Sequence, residues 1–160
     1  MLLLVLALKS LVQEEHPVPR AQKDQYIKAI AAYEKAIGLL EKDPGGAAAL
    51  LDPILNNADI KKRDCRLKVE THPGTYEKYE FYPHQCRGRA RMKLAQGGDH
   101  DKARHHLEGA IQDFEDSKRC GLTGSEDYLR EARRQLEALR KGADPKPDPE
   151  FLFREEWLRL

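Results

Sequence analysis

The residues best suited to chemistry sit together in the middle of the chain. His84 and Cys86 form a His-x-Cys pair directly after the aromatic cluster Tyr79, Phe81 and Tyr82. An imidazole beside a thiol serves either to activate a cysteine nucleophile or to start a zinc shell. Both uses need further groups, and the candidates are Cys65, Cys120, His105 and His106. Positions two apart on a helix point in different directions, so one member of the pair faces away from any shared ligand. A buried free cysteine behaves as a small hydrophobe, and core packing is therefore the reading adopted for Cys86. A thiol- or metal-dependent enzyme using His84 and Cys86 stands as the alternative. Adjacent His105 and His106 cannot share one helix face and read as an exposed rim. Three cysteines without CxxC spacing give neither a disulfide framework nor a zinc ribbon. The chain carries no Gly-rich phosphate loop, nucleophile elbow or zinc-helix motif. The expectation is no catalysis, no metal and no cofactor.

Charge points the same way. Arg87, Arg89, Arg91 and Lys93 fall on one expected helix, and Arg130, Arg133, Arg134, Arg140 and Lys141 on another. Side by side these would form a basic strip attractive to acidic partners or RNA. Glu126, Glu131 and Glu137 are interspersed, which makes a solvated mixed face the simpler reading. The 160 residues carry 28 Lys+Arg and 27 Asp+Glu, a net charge of +1, without the clustered excess of a nucleic-acid binder. At 40% hydrophobic and 34% charged, the chain is too apolar for a disordered tail and too polar for a membrane bundle.

The elements that position these residues read as helical hairpins. Tyr26, Ala29, Ile30, Tyr33, Ala36, Ile37 and Leu40 recur as one apolar stripe, capped by Asp24 and stopped by Asp43-Pro44-Gly45-Gly46. A shorter apolar helix follows over Ala47 to Leu55, in which Pro53 either kinks the helix or begins a new turn. Leu67, Val69 and Thr71 alternate with Arg66, Lys68 and Glu70 and lead to His72-Pro73-Gly74-Thr75, which predicts a hairpin over 66–82 with a type II turn. Pro83 opens a helix to about Gln96 with Cys86, Ala90 and Leu94 inward. Asp99 caps the next, with Ala103, Leu107, Ala110, Ile111 and Phe114 inward. Ser125 caps the last, with Leu129, Ala132, Leu136 and Leu139 inward, and Gly142 closes it.

Two of these helices share a pattern. Tyr26-x-x-Ala29-Ile30-x-x-Tyr33-x-Lys35-Ala36-Ile37 aligns with His100-x-x-Ala103-Arg104-x-x-Leu107-x-Gly109-Ala110-Ile111, alanines at a spacing of seven flanking a large residue. This resembles the second helix of a tetratricopeptide (TPR) repeat. Gly98-Asp99-His100 matches that repeat's inter-helix turn, and Ala90 and Leu94 fit its first helix. Ala29 and Ala103 lie 74 residues apart, slightly more than two periods of about 34. Phe81-Tyr82-Pro83-His84-x-x-x-Gly88-x-Ala90 is similar to a segment of bacterial, often exported, TPR-containing proteins. The resemblance implies an all-α fold of two to three antiparallel helical hairpins with a short extended insert, packed through Tyr26, Ala29, Tyr33, Ala36, Ala90, Leu94, Ala103, Leu107 and Ala110. It implies a scaffold or adaptor whose partner is a protein or peptide, held on a concave face around Gln85, Arg89 and Met92 with Tyr79 and Tyr82 at its edge. Pro17 and Pro19 stand where the leading repeat's first helix belongs. Gln85, Gly88, Arg89 and Met92 replace the Lys and Asn by which some TPR domains clamp a carboxylate.

The ends are separate. Residues 1–18 form an apolar segment and linker: Met1 to Leu8 is too short to span a bilayer, which takes roughly 20 residues. It reads either as the end of an export signal or as a packed helix, leaving exported and cytoplasmic locations, and membrane association through this segment, open. Residues 19–142 make the helical domain. Residues 143–160 comprise a stiff Asp144-to-Pro149 linker and a tail bearing Phe151, Leu152, Phe153, Trp157, Leu158 and Leu160, read as capping the last hairpin or docking in a partner's groove.

Overall fold

Prolines near the N-terminus bar a helix there, and the extended backbone they impose is put to use in a sheet. The structure, a computed structural model, describes residues 15–57, 60, 64–97, 99–122 and 124–152. The expectations for residues 1–11 and for Phe153, Trp157, Leu158 and Leu160 lie outside the described residues. Strand β1 (Glu15–Pro17) runs parallel to β2 (Cys65–His72), and β2 pairs antiparallel with β3 (Thr75–Phe81). Val18 extends the first pairing by donating its N–H to the Lys68 carbonyl at 2.9 Å. The architecture is therefore mostly helical with a small three-stranded sheet, which corrects the all-α expectation and the reading of 15–18 as linker. A parallel neighbour needs a long crossover, and two helices between β1 and β2 supply it.

The hairpin itself follows from its alternation. Cys65, Leu67, Val69 and Phe81 are buried, while Arg66 and Lys78 face outward. Gly74 takes a φ of +79° at the turn, a conformation that glycine reaches without steric cost. Glu70 accepts from the Gly74 N–H at 3.0 Å and from Arg20 at 2.8 Å. The Arg20 hydrogen bond pulls the Glu70 carboxyl down to about 2.

Helix α1 spans Lys23–Leu39 after a short 3-10 turn at Arg20–Gln22. Its inward stripe is Tyr26, Ala29, Ile30, Tyr33 and Ala36. Ile37 is instead 45% exposed, because the stripe continues from Ala36 to Leu40 and Ile37 lies round the helix from it. Asp24 lies inside the first turn rather than at the cap, a place where its charge still complements the helix dipole. Helix α2 is Pro44–Asn56, so the stop signal of one helix is the start of the next. Asp43 caps it by accepting from the Gly46 N–H at 2.8 Å, Pro44 takes the first turn, and the helix runs through Pro53 unbroken.

Helices α3 (Pro83–Ala95), α4 (His100–Arg119) and α5 (Ser125–Arg140) complete the fold. Asp99 caps α4 through the Lys102 N–H at 2.9 Å. Ser125 does not cap α5: it is the helix's first residue, buried, with its Oγ 2.6 Å from that of Ser117. Gly142, at φ +76°, ends α5, and the Ala143 N–H returns to the Ala138 carbonyl. Each helix packs on the next in chain order, from α1 to α5.

Two cores result, with α3 shared between them. The first joins Tyr26, Ala29, Tyr33, Leu51, Leu67, Val69, Phe81 and the start of α3 at Cys86 and Ala90. The second joins Met92 and Ala95 to Ala103, Leu107, Ala110, Phe114, Tyr128, Ala132 and Leu136. Ala36, Ala90 and Ala110 are fully buried, and Ala29 and Ala103 nearly so; Leu94 and Ile111 are half-buried.

Candidate functional site

Cys86 is sealed in the first core. Burial pushes its thiol up to about 12, so the nucleophilic thiolate is suppressed at neutral pH. Cys65 is buried and Cys120 half-buried, and all three are free thiols. Among the described residues, no group of three His, Cys, Asp or Glu converges as a metal shell.

His84 has different company. It lies against a buried ionic cluster centred on Asp113, whose side chain is 1% exposed. Arg87 embraces that carboxylate with Nη2 at 2.7 Å and Nε at 3.1 Å, and reaches Asp52 at 2.8 Å with Nη1. Arg91 Nη1 donates to Asp113 at 2.9 Å and to the Gly109 carbonyl at 3.0 Å. The His84 Nδ1 atom is 3.6 Å from Asp113, within ion-pair range but longer than a hydrogen bond. Burial opposes protonation of His84, yet the Asp113 and Asp64 carboxylates outweigh it, and the imidazole's pKa is raised. The cluster clamps α2, α3 and α4 together.

Close helix approach makes this possible. A methyl on Gly88 would meet the Phe114 ring at 2.7 Å, and one on Gly109 would meet Arg91 Nη1 at 2.8 Å. Asp64, just before β2, holds the start of α3 in the manner of a cap. Its two carboxylate oxygens accept from the His84 and Gln85 N–H groups at 2.8 and 2.9 Å. Tyr82, at the cap position itself, makes no side-chain cap bond. Nothing local in the sequence marks Asp64 for that role.

The basic strip, set aside above in favour of a mixed face, does not form. Arg87 and Arg91 turn inward to Asp113, Lys93 pairs with Glu41, and Arg130, Arg133 and Arg134 pair with Asp127, Glu115 and Glu131. The residues expected on the concave face also separate. Tyr79 and Tyr82 are half-buried against the first core, and the Tyr79 hydroxyl donates to Glu77. Gln85 is half-buried, with its N–H on Asp64. Met92 is 5% exposed and belongs to the second core, so it offers a partner almost no surface. Arg89 lies over the Tyr128 ring, 5.5 Å from its centroid.

Arg89 and Met92 do line one groove, between α3 and α5, and the chain's own C-terminal segment lies in it. Residues Ala143–Asp148 form an irregular strap, turned at Pro145 where the Lys146 N–H donates to the Asp144 carbonyl at 2.8 Å, and lead to a short helical turn at 149–152. Pro147, Phe151 and Leu152 line one side of this groove and Arg89, Met92, Lys93, Gln96, Tyr128 and Gln135 the other, with Leu152 left 47% exposed. Arg134 donates to the Lys146 carbonyl and Glu131 accepts from the Asp148 N–H at 3.0 Å, so α5 grips the main chain on both sides of Pro147. Glu131 is itself buried and held by Arg134 and Gln135. Phe151 meets Tyr128 edge-on at 5.3 Å, and Tyr128 stacks on Phe114 at 5.3 Å. Asp148 accepts from the Glu150 N–H at 2.8 Å and starts the final turn.

No family model, curated protein or solved structure matches this chain. Among the described residues, no helix is long and apolar enough to cross a membrane.

Proposed function

We propose that this chain is a non-catalytic scaffold of TPR-like construction that holds an extended segment of a protein or peptide partner. The observation that carries the reading is the strap: a non-helical, proline-containing stretch gripped by its main chain on both sides of Pro147 and anchored by one aromatic ring. Main-chain hydrogen bonds with a side-chain pocket are the general means by which folded domains take extended peptides. The serial packing of helices across small-residue contacts supports the TPR-like description. The alternative enzyme at His84 and Cys86 has less support, since Cys86 is buried with its thiol pushed up to about 12.

A photo-crosslinking residue at Gln96, beside the groove, tests the scaffold role in cells producing the full chain, with Lys28 on the exposed side of α1 as control. The expected result is a discrete adduct from position 96 that position 28 does not give. Identical patterns at both positions, or none at either, would refute it.

A further inference from the structure

The strap fits its groove incompletely, and the misfit has a direction. One cavity of about 230 Å³ is left between Asp127, Arg130 and Arg134 on α5 and Asp148, Glu150 and Phe151 on the strap. Another of about 240 Å³ is left between Gln96, His100 and Ala103 and the strap residues Asp144 to Pro147. Both are clefts open to solvent and lined mainly by polar and charged side chains, room beside the strap that a better-matched segment would fill. The floor of the groove carries a second sign. Gln135 is fully buried; its Nε2 is committed to Glu131 at 2.8 Å, and its Oε1 accepts no hydrogen bond from the described residues. Buried acceptors are rarely left so. The strap residues at this point, Pro147, Phe151 and Leu152, bring no side-chain donor, and Pro147 has no N–H.

We infer that the strap is a resident placeholder, displaced by a partner segment of related but better-matched chemistry. This rests on the scaffold reading and specifies its ligand. The partner segment is extended, leaves a carbonyl for Arg134 and an N–H for Glu131, and seats an aromatic ring on Tyr128. It is acidic where Asp148 and Glu150 now face Arg130 and Arg134, and it brings an N–H or O–H donor to Gln135 Oε1. Tethering gives the strap a high effective concentration, so it excludes weak competitors and yields only to a segment that makes more bonds.

A labelled peptide of residues 144–152 is titrated by fluorescence anisotropy against the full-length protein, wild type and Phe151→Ala. Asp148→Ala serves as a second strap-weakening variant should the first fold poorly. Weakening the strap is expected to tighten peptide binding about tenfold. Of two further peptides, Pro147→Ser and Leu152→Ser, at least one is expected to bind more tightly than the native sequence. Equal affinity for wild type and both variants, no binding to any, or no gain from either serine peptide would overturn the proposal. So would a concentration-dependent wild-type dimer abolished by Phe151→Ala, which would make the occupant a second copy's strap. A positive crosslink at position 96 combined with a negative peptide result would leave the scaffold standing and remove only the displacement.

Discussion

Replacing Asp113 by alanine removes the shared anion of three basic side chains. Arg87 and Arg91 are 14% and 27% exposed at the side chain, His84 9%, and Asp113 1%, so water cannot take over the lost contacts without opening the α3–α4 interface. Breaking a buried ion pair by deleting one partner costs about 3–5 kcal/mol. Against a typical total of about 5–15 kcal/mol this removes a large part of the stability. Urea unfolding followed by circular dichroism should show the midpoint falling by about 2 M. The exposed Arg104–Asp101 pair is the control: Asp101→Ala should cost under about 1 kcal/mol. A triple variant, Asp113→Leu with Arg87→Met and Arg91→Met, should regain most of the loss, since apolar packing replaces buried charge at little net cost. An Asp113→Ala cost below about 1 kcal/mol, the range of surface pairs, would refute the claim that the cluster clamps the helices.

Three other outcomes follow from the same geometry. Gly88→Ala should destabilise the fold by about 1–3 kcal/mol through the clash with Phe114, whereas Gly38→Ala, with open space around it on α1, should stabilise by about 0.5–1 kcal/mol, both read from urea melts. His84 has a folded-state pKa above its ordinary value, so its contribution is complete below about pH 6.5 and disappears as pH rises through the folded pKa; stability should decline as pH rises above about 6.5 in the wild type, and His84→Gln should flatten that decline. Iodoacetamide at neutral pH should label half-buried Cys120 first and leave Cys86 unmodified until the chain unfolds, as peptide mass spectrometry would record.

The elements legible in the sequence were those whose signals are local. Alanines spaced by seven around Tyr33 and Leu107, Pro73-Gly74 between alternating strands, Pro83 at a helix start and Asp99 before His100 each act within a few residues, and each lies where its pattern placed it. Strand β1 was not legible, because three residues carry no period and their extended form is chosen by the edge that β2 presents 51 residues later. The site was less legible still. Asp64, Asp113 and Glu131 are of the same residue type as the solvated acids around them, and only the packing of α3 against its neighbours decides which carboxylates are buried. Arg87 and Arg91 read as solvated charge until Asp113 faces them across a gap kept narrow by Gly88 and Gly109. The sequence by itself determined which segments are helical and where the hairpin lies, since periodicity and turn chemistry are properties of adjacent residues, whereas the starts expected at Asp24, Ala47 and Ser125 shifted by one to three residues. Tertiary structure alone decided which charges meet, which acid caps α3 from 20 residues away, and that the groove between α3 and α5 holds the chain's own strap. Those depend on distances between segments, which no local pattern encodes.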